Sequence, residues 1–179
     1  MLSLRLVLSF YGAMLALAVA WRWAVDGVLP WQNSPAHAVL PLLWRAGAGL
    51  GAGVLLVWVS RLWTARSEAG RALAAELGRL IGPIGAGRAW ALALTSGLAE
   101  EAFFRGALQP RVGLAAATLL FAAVHFVPVP KLRSWALFAL AAGAVFGALF
   151  EATGDLLAPA LAHVVVNGLN LRWLGARTP

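Results

Sequence analysis

The 179-residue chain is 61% hydrophobic and 12% charged, with a mean hydropathy of +0.81. Soluble domains average roughly 25% charged residues, so this composition excludes a soluble domain and fits an all-α, polytopic membrane protein with no room for a soluble partner module. The net charge of +7 sits at the flanks of apolar runs, which fits the positive-inside rule and argues against nucleic acid, and the lack of cysteine excludes disulfides, thiolate-rich zinc sites and cysteine nucleophiles.

A spanning helix needs about 20 apolar residues, and six stretches approach that length. The first runs from about Leu2 to Val25. Arg5, the apolar run Leu6 to Val19 and the small Ala18 and Ala20 also have the layout of a signal peptide. Trp21 and Trp23 beyond the run look more like an interface anchor. The second stretch runs from about Val39 to Ser60 through Gly47-Ala-Gly49-Leu-Gly51-Ala-Gly53, a spacing that suits close helix approach. Between the second and third, Ser67 to Ile81 is amphipathic, with Leu73, Leu77, Leu80 and Ile81 opposite Arg71, Glu76 and Arg79. This segment reads either as a helix lying along the membrane interface or as a solvated linker.

The third stretch, about Arg88 to Leu108, carries Glu100 and Glu101 side by side. The fourth is short, about Val112 to Val127, and is stopped by Pro128 and Pro130. The fifth runs from about Arg133 to Ala152 and the sixth from about Leu156 to Leu174. The chain thus divides into 1–87, two spanning helices and an amphipathic linker, and 88–179, a four-helix core. All nine tryptophans fall at the ends of these stretches, as aromatic belts do. Ten of the fourteen basic residues, among them Arg5, Arg61, Arg66, Arg71, Arg79, Arg88, Lys131 and Arg133, place the linker and both termini in the cytoplasm. Arg22, Arg45, Arg105 and Arg111 fall outside or within the membrane.

An ionised carboxylate at membrane depth costs several kcal/mol, so Glu100 and Glu101 require pairing, protonation or a wet cavity. Glu101 and Arg105 are one helical turn apart and share a face. Glu100 lies about 100° around the helix and escapes that pairing. A buried salt bridge with a spare protonated carboxyl is the bland alternative. The fourth stretch ends in Phe121-Ala-Ala-Val-His125, and the sixth contains His163-Val-Val-Val-Asn167. A single intramembrane histidine is readily a core group bonded to a carbonyl. Three stretches that each present an unpaired polar group are harder to explain by packing. His37, beside Asn33 and Pro35, has no assigned role.

The succession Glu100-Glu101-x-x-x-Arg105, Phe121-x-x-x-His125 and His163-x-x-x-Asn167 on consecutive apolar helices resembles the CPBP family. This CAAX protease and bacteriocin-processing family comprises intramembrane endopeptidases, among them the CAAX prenyl protease type. The resemblance spans roughly Arg88 to Leu174, and Gly154 to His163 is similar to the family's lead-in to its third motif. It implies an integral membrane endopeptidase whose 88–179 core is catalytic. Glu100 would activate water, and His125, His163 and Asn167 would complete the site. Glu101, Arg105 and Phe121 would support it.

Peptide hydrolysis needs water, a base and an oxyanion donor. A desolvated carboxylate can take the proton and later return it to the leaving amine, while imidazole and an Asn amide can donate to the oxyanion. No cofactor is required for this. The alternative is zinc held by Glu100, His125 and His163, although no His-Glu-x-x-His is present and the family has been described both ways. A rhomboid-like Gly-x-Ser-Gly is missing because Leu94 stands at its first position, which leaves Ser96 as a small packing residue. Gly154-Asp155 lacks a presenilin-like Gly-x-Gly-Asp. Two other classes stay open: a scaffold or bacteriocin-immunity protein, and a proton-coupled transporter, for which neither inverted repeats nor broken helices are visible. The expected partners are the bilayer and a membrane-associated protein or peptide substrate. High Ala, Arg and Trp content without Cys points to a bacterial cytoplasmic membrane, where leader peptides or sorting-signal tails suit better than prenylated ends.

Overall fold

The computed structural model describes residues 3–31 and 41–177, and every regular element among them is helical. In chain order these are α1 (Leu4–Asp26), α2 (Leu42–Arg66), α3 (Glu68–Ile81), α4 (Ala86–Glu101), a π-helical segment (Ala102–Leu108), α5 (Gln109–Val124), a 3₁₀ turn (Pro130–Leu132), α6 (Arg133–Thr153) and α7 (Leu157–Gly175). Four stretches are long and apolar enough to cross a membrane: Leu4–Asp26, Leu42–Arg66, Ala86–Val124 and Arg133–Thr153. The expected starts at Leu2 and Val39, and the residues Asn33, Pro35 and His37, lie outside the described residues.

Local chemistry sets the boundaries. Gly27 ends α1 in the left-handed conformation, its N–H donating to the Trp23 carbonyl. Ser67 turns the chain from α2 into α3: its own N–H bonds back to Trp63, and its hydroxyl accepts from the Gly70 N–H at 2.9 Å. Therefore α3 starts at once as a separate amphipathic helix, packed against α2, α6 and α7.

The 39-residue stretch Ala86–Val124 is two legs rather than one rod. Gly113 takes φ 80°, ψ 166°, conformational space open essentially to glycine alone. A straight helix would separate Glu100 from His125 by about 37 Å, yet their side chains meet at 3.7 Å. The return leg, residues 114–124, is about 16 Å long, roughly half of a bilayer's apolar core. The fourth helix expected over about Val112 to Val127 is thus shorter than its hydrophobic run, and the chain reverses at Gly113. In place of a full crossing, this leg delivers His125 to the depth of Glu100.

Pro110 accounts for the π segment. It has no N–H for the Gly106 carbonyl, and its ring crowds that turn. The turn widens, and the Gln109 N–H reaches back five residues to Phe104. Arg105 donates to the Gly143 carbonyl at 3.0 Å and Gln109 to the Gly147 carbonyl at 3.1 Å. The two helices therefore run parallel, four residues matched to four, while the return leg runs antiparallel with Phe121 against Gly143 and Leu114 against Gly147.

Helix α7 lies at the centre, against α2 on one side and α4 on the other. Only glycine fits the first contact at two points: a Cβ on Gly49 would strike the Ala158 backbone, and one on Gly53 would lie 2.9 Å from the Ala162 carbonyl. Gly47 and Gly51, on the opposite face of α2, meet nothing. On the other side Gly97 admits Val164, and Gly168 admits the ring of Trp90. Trp90 therefore serves helix packing, not only an interface belt. Trp23, Trp31, Trp44 and Trp58 remain exposed, as interface residues should.

Candidate active site

The α4–π junction, the end of the return leg and the middle of α7 bring four of the expected residues into two linked clusters. Glu100, 6% exposed, turns Oε2 toward His125 Nε2 at 3.7 Å and His163 Nε2 at 3.9 Å. The far nitrogen of each ring is already engaged. His125 Nδ1 lies 2.7 Å from the Phe121 carbonyl, which can only accept. His163 Nδ1 lies 2.7 Å from Glu101 Oε1. Both Nδ1 atoms must therefore carry their hydrogens, and in the neutral rings both Nε2 lone pairs face Glu100. The spacing of the motifs does not encode this tautomer assignment; it follows from which carbonyl and which carboxylate the fold places behind each ring.

Asn167, one turn beyond His163, donates from Nδ2 to Ser96 Oγ at 3.0 Å. Ser96 is buried one turn before Glu100. The sequence reading made Ser96 a packing residue, but its hydroxyl orients the Asn167 amide and leaves the second N–H of that amide free. The signal was present in its position four residues before Glu100, yet hydroxyls so spaced are common in helices.

Glu101 does more than pair with Arg105. It is fully buried and holds Arg105 at 3.3 Å while it accepts from His163. Arg105, 1% exposed, is held further by the Gly143 carbonyl and lies 4.4 Å from the centroid of the Phe121 ring. Phe121 touches most of the site, packing on Phe104, on His125 at 4.5 Å and edge-on to His163 at 5.9 Å. Phe146 stacks on His163 at 4.8 Å, and Trp135 stands edge-on to His125 at 5.3 Å. Neither aromatic belonged to a motif, and Trp135 had been assigned to the interface belt. The two imidazoles are thus clamped in orientation by flat apolar walls.

A largely apolar cavity of about 490 Å³ opens beside these residues. Tyr11, Ser96 and Asn167 line it, and the apolar face of α3, through Leu73 and Leu77, forms another wall. Glu100, His125 and His163 are not in its lining; they stand behind Tyr11, Ser96 and Asn167. Ser96 is one turn from Glu100 and Asn167 one turn from His163.

Residues 83–169 match the family described as type II CAAX prenyl endopeptidase Rce1-like. The uncharacterized protein YpbD of Bacillus subtilis (strain 168) is 40% identical over 80 residues, 44% of this chain and 41% of that protein. The chain thus spans less than half of the curated relative it matches. No solved structure matches significantly.

Proposed function

Through residues 83–169 the chain belongs to the type II CAAX prenyl endopeptidase Rce1-like family, and from this we propose that it is an intramembrane endopeptidase in which Glu100 activates the hydrolytic water. The observation that carries the reading is the convergence of Glu100 Oε2 on two imidazoles whose Nδ1 atoms are already bound. Water beside Oε2 gives a proton to Glu100 as its oxygen attacks the scissile carbonyl. The tetrahedral oxyanion accepts from the free N–H of Asn167, whose other N–H is held by Ser96. A neutral His163 presents a lone pair, so it donates to the oxyanion only after taking a second proton. The Glu101 carboxylate at its Nδ1 stabilises that imidazolium. Glu100 then returns its proton to the leaving amine, the C–N bond breaks, and the new carboxyl and amine ends depart.

The apolar cavity suits an extended, largely apolar substrate segment, and α3 sits on the side that the basic residues assign to the cytoplasm. We therefore take the substrate to be a membrane-associated peptide or protein tail presented from the inner leaflet, with both termini of the chain on the cytoplasmic side. A second reading uses the same three residues around zinc. Nε2 of His125, Nε2 of His163 and Oε2 of Glu100 would be its ligands, and an ion there would polarise the scissile carbonyl and the water. With Glu100 on the ion, the carboxylate left as a base would be Glu101, which is committed to Arg105 and His163, so we rank this reading second.

The test is single-turnover cleavage of a fluorogenic library of apolar tail peptides by purified protein, wild type beside Glu100→Gln, with and without chelator. Cleavage that survives chelation and disappears in Glu100→Gln is expected. Loss on chelation transfers the site to the zinc reading. Equal cleavage by both proteins sinks the assignment of Glu100.

A further inference from the structure

The apolar cavity has a second polar part, away from Ser96 and Asn167. Arg61, half-buried near the end of α2, and Trp173, near the end of α7, both line it. Trp173 lies about 9 Å further along α7 than Asn167. The guanidinium carbon of Arg61 is 3.7 Å from the centroid of the Trp173 ring, and that of Arg177 is 4.0 Å from it. Two planar cations so close to one centroid cannot share a face, so the indole is sandwiched between them. Arg61 commits Nη2 to the Leu169 carbonyl at 3.0 Å. Its Nε and Nη1 bond no acceptor among the described residues, and neither arginine forms an ion pair with a described residue. Each charge thus has an aromatic face but no anion, while the other like charge stands within about 8 Å.

We propose that the Arg61–Trp173–Arg177 stack binds the headgroup phosphate of an anionic phospholipid, with an acyl chain of that lipid running into the apolar cavity. Stacking holds the two guanidiniums in place. An anion at the rim of the ring meets the positive edge of the indole and the uncommitted N–H groups of the guanidiniums together. The head is anionic because two cations here lack a counterion. The tail is apolar because Leu73, Leu77 and Val166 line the space behind the stack. The stack also stands at headgroup level, where the apolar runs of α2 and α7 both end in arginine and tryptophan. A soluble anion would use the arginines and leave the cavity unfilled, whereas a membrane amphiphile uses both.

Native mass spectrometry of the full chain tests this without any cleavage, so its failure is separate from failure of the endopeptidase reading. The protein is released from detergent that carries equal amounts of phosphatidylglycerol and phosphatidylcholine with the same acyl chains. Wild type is expected to retain one phosphatidylglycerol about 10-fold more often than phosphatidylcholine, whose choline the guanidiniums repel. Arg61→Gln and Arg177→Gln should each remove most of that preference. Arg177 is exposed beyond α7, so its substitution reads the site even if Arg61→Gln fails to fold. The double variant Arg66→Gln/Arg71→Gln removes charge from exposed residues at the same end of α2 and in α3, outside the cavity lining, and should leave the preference intact. Excess glycerol phosphate, the headgroup without its chains, should not displace the lipid. No preference in wild type overturns the proposal, and so does an equal loss in the Arg66→Gln/Arg71→Gln control, which would mean diffuse charge. Displacement by glycerol phosphate overturns the role given to the cavity. If an apolar peptide is retained through its C-terminal carboxylate in place of phosphatidylglycerol, and loses retention on amidation and in Arg177→Gln, the stack belongs to the substrate and the lipid site is refuted.

Discussion

Replacing Glu101 with Gln separates two roles that a single buried carboxylate carries. The substitution is nearly isosteric, but it removes the countercharge of Arg105, which is 1% exposed. Breaking a buried pair by removing one partner typically costs about 3–5 kcal/mol. Here Arg105 keeps the Gly143 carbonyl at 3.0 Å and the Phe121 face at 4.4 Å, and a cation–π contact is worth about 0.5–2 kcal/mol. The loss should therefore lie near the lower end, about 3 kcal/mol. For a chain of this size that corresponds to a fall of about 6–12 °C in Tm, read by thermal unfolding in detergent. Activity should fall independently, because His163 Nδ1 loses its carboxylate at 2.7 Å. Partners behind a catalytic imidazole are commonly worth about 10- to 100-fold or more. The double variant Glu101→Gln/Arg105→Met separates the two effects. Replacing a whole buried pair by groups of similar shape is close to neutral, so stability should largely return while cleavage stays low. If activity returns together with stability, Glu101 serves only the fold and the His163 argument fails.

Four further outcomes follow from the same geometry. Asn167→Ala should lower turnover about 10²- to 10³-fold, the usual loss for one oxyanion donor, whereas Ser96→Ala should cost about 10-fold with little change in Tm, since it frees an amide without removing it. Gly113→Ala meets no atom within 4 Å but inherits φ +80°, so backbone strain of about 1–3 kcal/mol should appear as a lower Tm and a weakened hairpin. Gly53→Val drives a side chain into Ala162 and Val165 and should destabilise by about 1–3 kcal/mol, while Gly51→Val, which meets nothing, should unfold like the wild type. The cysteine-free background allows single-cysteine labelling of sealed, oriented vesicles. Exposed Ala69→Cys should react from the cytoplasmic side and exposed Val112→Cys from the other, and the reverse pattern would invert the orientation read from the basic residues.

Much of this architecture was legible because the bilayer simplifies the reading. In hydrocarbon every backbone group must be paired within a helix, so apolar runs become helices almost by default, and α6 and α7 begin and end within a residue of where the run does. The motif residues were legible for the same reason: polar side chains in apolar helices stand out, and His125 and His163 do meet Glu100. The length of the return leg was not legible. Its run of apolar residues continues to Val127, but the reversal depends on one backbone conformation at Gly113, and a glycine in an Ala-rich helix gives no sign of its φ. The partners of the second-row residues were equally hidden. That Glu101 serves His163 as well as Arg105 and that Ser96 holds Asn167 depend on contacts between helices, set by the rotation of α4 and α7 about their own axes. Hydrophobic patterning fixes such rotations poorly when a helix is apolar on every side.

The two glutamates also explain each other. They are adjacent in sequence, so an α-helix turns them about 100° apart, and at the α4–π junction this angle decides their chemistry. Glu101 falls on the face that meets α6 and α7, where a guanidinium and an imidazole hydrogen converge on it and hold its charge in place. Glu100 falls on the face toward the return leg and the middle of α7, where it meets the Nε2 atoms of two imidazoles. Glu101 accepts two hydrogen bonds at Oε1 and has a guanidinium beside Oε2, whereas Glu100 Oε2 has no donor. Two acids with opposed surroundings are a common basis for dividing catalytic labour, and under the proposed function that division would need only consecutive positions on one helix. It follows that exchanging the surroundings should matter more than exchanging the acids. Shortening either glutamate to Asp leaves the angle intact but pulls the carboxylate back by one methylene. Glu101→Asp should then strain mainly the His163 and Arg105 contacts and lower Tm. Glu100→Asp should keep the Tm of the wild type and lose cleavage, because its Oε2 has no hydrogen bond to give up.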